Sequence, residues 1–177
     1  MSSRSAGFWV AVFLVLAFAG GGGLDLLGSD DGGTSNSDLT GRVTRVVDGD
    51  TVKVRLGNRG RVSTVRYIGV DTPETVKPGE PVQCFGKQAS TFNKRLVEGR
   101  RVRLEIGRER RDRYGRLLAY VYVVDEGKRF VNAELLRRGY ARTLAIPPNT
   151  DRAGRFAVLE RRARKSGLGL WTACAER

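Results

Sequence analysis

Histidine is absent from this 177-residue chain, and with it goes the side chain best suited to proton transfer near neutral pH. Histidine triads, imidazole metal sites and imidazole acid–base chemistry are all excluded. Any catalysis must therefore run on carboxylates, guanidinium groups, hydroxyls or the two cysteines. Cysteine is scarce too, and neither Cys84 nor Cys174 has an imidazole to activate it as a nucleophile. Acidic residues are few, 19 Asp and Glu against 32 Lys and Arg. Long apolar runs are missing: the densest, residues 7–19, falls short of the roughly 20 residues that a spanning helix needs. There are no internal repeats, which excludes solenoid and propeller architectures.

What is present begins with an export signal. Arg4 gives a positive start, an uncharged apolar stretch follows, and Ala17-Phe18-Ala19 has the small-x-small form that a signal peptidase accepts. Residues 1–19 read as a cleaved signal peptide or, uncleaved, as a membrane anchor. Residues 20–38 are rich in Gly, Ser and Asp without an apolar period, and read as a flexible tether. Residues 39–177 are the expected folded domain. Export to an oxidising compartment favours pairing of Cys84 with Cys174, two unpaired thiols being the alternative.

The charge is concentrated in the folded part. Residues 39–177 omit Arg4 and the aspartates at 25, 30, 31 and 38, leaving 31 basic against 15 acidic side chains. Such a field gathers polyanions. Nucleic acid is the leading partner, with heparin-like polymers or an anionic membrane also compatible.

From Gly41 the pattern becomes short β segments. Residues 42–47 and 51–56 are Val- and Thr-rich around an Asp48-Gly49-Asp50 turn, and residues 61–70 make a third strand after a turn at 58–60. Two prolines and a glycine make residues 75–83 a mobile loop. Phe85, Ala89, Phe92 and Leu96 recur at spacings of one helix face. Residues 102–106 alternate as a fourth strand, and 117–124 form a fifth that ends in the turn 125–127. A short helix over 132–138 stops at Gly139, and Thr150 or Asp151 is placed to cap a last helix bearing Ala153, Phe156, Ala157 and Ala163. Trp171 is expected to plug the C-terminal end. Five strands with a helix between the third and fourth is the order of an OB barrel.

Asp50 sits in the first turn, Asp71 closes the third strand, and Glu74 follows three residues later; Arg66 precedes Asp71 by five. Arg116 follows the turn Asp112-Arg113-Tyr114-Gly115. These residue types suit a hard cation, which takes oxygen ligands, beside two guanidinium forks for phosphate. Singly each has a plain structural role open to it: a turn, a helix cap, a solvated charge. Together, Val47-Asp48-Gly49-Asp50-Thr51-Val52, Arg66-Tyr67-Ile68-Gly69-Val70-Asp71-Thr72-Pro73-Glu74 and Asp112-Arg113-Tyr114-Gly115-Arg116 resemble, in order and spacing, the signature segments of the staphylococcal nuclease family. The likeness runs over residues 41–171 and includes Val131-Asn132 and Gly169-Leu170-Trp171.

The resemblance implies a five-stranded OB-fold barrel with three α-helices. It also implies a Ca²⁺-dependent enzyme that cleaves DNA and RNA at the 5′ P–O bond, leaving 3′-phosphate ends. Position by position, Asp50 and Asp71 would ligate Ca²⁺ by carboxylate and Thr72 by its carbonyl, while Asp48 would support the site without touching the ion. Glu74 would be general base, or orient the attacking water. Arg66 and Arg116 would clamp the phosphate, and Arg113 and Tyr114 would line the nucleotide site. A monomer acting on single-stranded or unwound substrate, secreted or held on the outer face of a membrane by its N-terminus, is the expectation.

Two departures stand out. Residues 143–148 read Thr-Leu-Ala-Ile-Pro-Pro where the staphylococcal enzyme carries base-stacking tyrosines, a contact worth about 1–3 kcal/mol per base. The cysteine pair is the other, and a bridge from the first helix to the tail is expected. Rival readings are a non-catalytic OB binding module and a basic adhesion or heparin-binding protein. Neither needs Arg66, Glu74 and Arg116 together.

Overall fold

Valine sets the frame. In the computed structural model, which describes residues 38–57, 60–75, 81–125 and 127–175, the β-branched residues alternate inward along each strand. The chain runs β1 (Leu39–Val46), β2 (Thr51–Leu56), β3 (Val62–Tyr67), β4 (Gly69–Asp71), α1 (Gly86–Val97), β5 (Arg101–Arg111), β6 (Leu117–Val123), β7 (Arg129–Phe130), α2 (Val131–Arg137), β8 (Arg142–Leu144), α3 (Ala153–Lys165) and α4 (Leu170–Ala173). The export segment and most of the tether lie outside the described residues, as do parts of the 58–60 and 125–127 turns and of the 75–83 loop. Asp38, the last tether residue, pairs with Arg103 at 2.6 Å.

Strands pair in the order β3-β2-β1-β5-β6-β7, and a parallel β3–β6 pairing closes the first five into a barrel. This is the expected five-stranded OB barrel, with α4 as a short fourth helix. Val43, Val52, Val54, Val65, Val102, Leu104, Ile106 and Val121 fill its interior, each at most 1% exposed. One end of the core is finished by Leu135 and Leu136 of α2 and by Phe156 of α3, whose ring meets Tyr120 at 6.1 Å and Phe130 at 5.7 Å.

The structure redraws the elements in several places. The first strand begins at Leu39, and the fourth runs on to Arg111. The third strand is not continuous over 61–70: it breaks after Tyr67 and restarts at Gly69 as β4, which pairs with the unforeseen β8. Gly69 has φ +77°, and a Cβ there would lie 2.5 Å from the Phe156 ring, so glycine is required at the break. Buried Asn132 satisfies the carbonyl freed there, its amide donating to Ile68 O at 2.8 Å. Neither Thr150 nor Asp151 caps α3. Arg152 is the N-cap residue, Asp151 pairs with Arg108 at 3.0 Å, and the Arg152 guanidinium bonds Glu105 over the Tyr120 ring. In the tail, Leu170 rather than Trp171 is fully buried, and the guanidinium groups of Arg142 and Arg164 lie 4.5 and 5.4 Å from the centre of the Trp171 ring. Cys84 and Cys174 are joined as a disulfide, with Cα atoms 6.0 Å apart.

Candidate active site

Strand register brings the charged residues together. Thr51 lies opposite Arg66 across β2 and β3, which sets Asp50 beside that arginine. Arg66 in turn lies opposite Leu118 across the parallel β3–β6 pair, which brings Arg116 to the same end of the barrel. Gly49 lets the first turn come close: a Cβ there would sit 2.5 Å from Thr72 Oγ1.

The Arg66 guanidinium joins the two aspartates. Its Nη1 is 3.0 Å from Asp50 Oδ1 and its Nη2 is 3.0 Å from Asp71 Oδ1, while Nη1 also donates to Val70 O at 2.8 Å. Asp50 Oδ2 accepts from Thr72 N at 2.8 Å and Thr72 Oγ1 at 2.9 Å, and Oδ1 accepts from Thr51 Oγ1 at 3.2 Å. Asp48 folds back to accept the Asp50 amide at 3.0 Å. Beneath the turn, Tyr67 OH donates to Asn93 Oδ1 at 3.1 Å, and Asn93 Nδ2 donates to Asp48 O at 3.1 Å.

These bonds do not fully offset desolvation. Burial pushes the Asp50 carboxyl up to about 6, with the Asp48 charge adding to the rise and Arg66 and Thr72 opposing it. Asp71 is raised by burial and by Asp50 and Glu74, again against Arg66. A pair of carboxylates short of positive charge, with a neighbouring main-chain carbonyl at Thr72, is a donor set that fits a hard divalent cation. Among the described residues no group of three or more acidic or cysteine side chains is placed to hold a metal ion, so water or substrate would have to supply the other ligands.

Glu74 is placed by its backbone. Its amide donates to Gln83 Oε1 at 3.0 Å, its carbonyl accepts the Gln83 amide at 3.0 Å, and its Oε1 accepts from Thr75 N at 2.8 Å. Asp112 holds Arg116, accepting its Nε at 2.6 Å and its amide at 3.0 Å. Burial resists the charge on Asp112, but these bonds and the Arg116 charge outweigh it and hold the carboxyl low. This role of Asp112 was missed, although it stands in the 112–116 turn segment. Gln83, Thr51 and Asn93 were missed also, since nothing in their spacing marks them.

One cavity of about 200 Å³ is lined by Asp48, Asp50, Arg66, Asp71, Thr72, Glu74 and Arg116. A larger one of about 510 Å³ shares Arg66 and Arg116 and adds Arg113, Tyr114, Leu144 and Ile146. Every residue expected at the site therefore lines one of two adjoining hollows.

A family profile described as "Staphylococcal nuclease homologue" matches residues 64–173. The chain is 44% identical over 140 residues to a protein named thermonuclease from Staphylococcus intermedius, covering 77% of this chain and 80% of that one. The chain belongs to the staphylococcal nuclease family. A thermonuclease from Staphylococcus hyicus is 43% identical over 141 residues, 79% of this chain and 80% of its own. The endonuclease YncB of Bacillus subtilis (strain 168) is 46% identical over 130 residues, 72% of this chain and 59% of its own. Leu144 and Ile146 give the larger hollow an aliphatic wall.

Proposed function

We propose that the chain is an exported, calcium-dependent nuclease that hydrolyses phosphodiester bonds of DNA and RNA and leaves 3′-phosphate ends. The observation that carries this reading is the convergence of Arg66, Arg116, Glu74 and the Asp50–Asp71 pair on one cavity of about 200 Å³. Family membership and the thermonuclease and endonuclease names of its relatives support it.

Held by Asp50, Asp71 and the Thr72 carbonyl, Ca²⁺ would neutralise charge on a non-bridging phosphate oxygen. Glu74 accepts a proton from the attacking water or orients it in line with the scissile bond. The water oxygen bonds to phosphorus, the bond to the 5′ oxygen breaks, and the leaving 5′ oxygen takes its proton from solvent water. Arg66 and Arg116 stabilise the charge gathered on the equatorial oxygens. Arg116 commits Nε to Asp112, which leaves its terminal nitrogens as the donors for phosphate. Arg113 and the largely exposed Tyr114 bind the nucleotide in the adjoining hollow. An unstacked base fits that open, partly aliphatic wall, which favours single-stranded substrate.

The test is release of acid-soluble nucleotides from single-stranded DNA by the oxidised protein, in CaCl₂ and in EGTA. Calcium-dependent release is expected, with Glu74→Gln and Arg116→Ala each lowering kcat by about 10²–10³-fold, the scale of a lost transition-state donor. DNA binding without release under any divalent ion would make the protein a binding module instead.

A further inference from the structure

Away from the cleft, the barrel carries an arrangement that a strand pairing for stability alone would avoid. Arg42 of β1 lies directly opposite Arg55 of β2 and directly opposite Arg101 of β5. Three exposed guanidinium groups thus stand in one row across three adjacent strands, their backbones about 4.8 Å apart. A second like-charged pair, Arg45 opposite Lys53, lies one step nearer the cleft. Like charges directly opposite on one sheet face repel. Among the described residues none of these five side chains forms an ion pair; Arg42 donates to the Gly99 carbonyl at 2.5 Å, and Asp125 is spent on the Arg101 amide at 2.7 Å. Elsewhere the chain does pair its arginines: Arg103 with Asp38, Arg108 with Asp151, Arg137 with Glu134.

We propose that the Arg55–Arg42–Arg101 row is a second phosphate-binding surface, on which the strand of a long nucleic acid lies while another part of it occupies the cleft. Arg55 is four residues along β2 from Thr51, about 13 Å from the catalytic end, too far to touch the scissile phosphate. The row therefore serves polymers and not short substrates. A polyphosphate backbone removes the mutual repulsion of the three cations and releases its own counterions on binding. The inference rests on the nuclease reading only for the identity of the polyanion.

The test compares two variants of equal charge loss in the full, oxidised chain. One is Arg42→Thr/Arg55→Thr/Arg101→Thr, and the other Arg161→Gln/Arg162→Gln/Lys165→Gln on exposed positions of α3. Binding to fluorescent oligo-dT of about 30 nucleotides is followed in EGTA between about 50 and 200 mM KCl. Hydrolysis of a dinucleotide is followed separately in CaCl₂. The row variant is expected to bind at least about tenfold more weakly and to lose about 2 from the slope of log K against log salt, three phosphate contacts at about 0.7 each. Its dinucleotide turnover should match wild type, and its Tm in low salt should rise because the repulsion is gone. Equal losses in both variants would assign the effect to diffuse charge and overturn the proposal, as would an unchanged row variant. Loss of binding to phosphatidylglycerol vesicles with oligo-dT binding intact would overturn it in favour of a lipid surface. If wild type fails to cleave the dinucleotide while oligo-dT binding still depends on the row, the nuclease reading falls and the surface stands.

Discussion

Asp50 shows at the scale of one residue what the site gives up in the metal-free protein. Its folded pKa of about 6 lies above the ordinary value of 3.8, so between those values the folded state binds a proton that the unfolded state has already lost. Its contribution to stability is therefore full below pH 3.8 and is lost as pH rises through about 6. The cost at pH 7 is on the order of 3 kcal/mol, one pKa unit being about 1.4. In EGTA, Asp50→Asn should raise the Tm at pH 7.5 and change it little at pH 4, and saturating CaCl₂ should stabilise wild type but not the variant. A wild-type excess in Tm at pH 7.5 without calcium would contradict this. Asp112 illustrates the opposite assignment. It holds Arg116 by two hydrogen bonds, so Asp112→Asn should lower kcat by about tenfold while leaving KM nearly unchanged. A proportionate rise in KM instead would mean that the turn shapes nucleotide binding. Asp50, Asp71, Glu74 and the two arginines, which line one cavity, stand out as candidates in the sequence because each lies in a short segment of recognisable order. Asp112, Gln83 and Asn93 were not, because a side chain that positions another through one hydrogen bond leaves no periodic or spacing signal.

At the scale of elements, legibility followed length. The barrel strands and α1 were readable from alternation and helical spacing, whereas β7 and β8, of two and three residues, carry too few positions to show a period. The split of the third strand at Gly69 was hidden for a different reason. Its cause is the Phe156 ring packed against that glycine, a contact between residues 87 positions apart that local pattern cannot show. The disulfide acts at this scale as well, tying the residue before the α1 N-cap to the residue after α4, across a separation of 90. In the chain-entropy account such a loop is worth about 4 kcal/mol as an upper figure. Cys84 also adjoins Gln83, whose amide and side chain hold both backbone polar groups of Glu74. Cys84→Ser/Cys174→Ser should therefore lower the urea midpoint, by about 2–4 kcal/mol of stability, and should reduce turnover even at temperatures where the fold is intact. Full turnover in a destabilised but folded variant would separate the bridge from the placement of Glu74.

For the whole molecule the governing quantity is charge. Residues 39–177 carry 31 basic against 15 acidic side chains, spread over the barrel face, the cleft and α3. A cleft that sets Asp48, Asp50, Asp71 and Glu74 against only Arg66 and Arg116 faces a conflict, since those carboxylates repel the phosphate they are to act on. The surrounding positive field resolves it from outside: it draws the polymer in by long-range attraction, leaving the carboxylates free to bind a cation and orient water. Two consequences follow that separate capture from chemistry. The value of kcat/KM on long single-stranded DNA should fall steeply as KCl rises from about 50 to 200 mM, by a factor of about 10² or more, because capture rests on many phosphate contacts. The kcat at saturating DNA should change far less, because the Arg66–Asp50 pair is largely buried and poorly screened. Stopped-flow single-turnover measurements across that salt range distinguish the two. A kcat that falls in parallel with kcat/KM would show that salt reaches the catalytic cluster itself, and would place the screening-sensitive step at the phosphate clamp and not at the approach of the polymer.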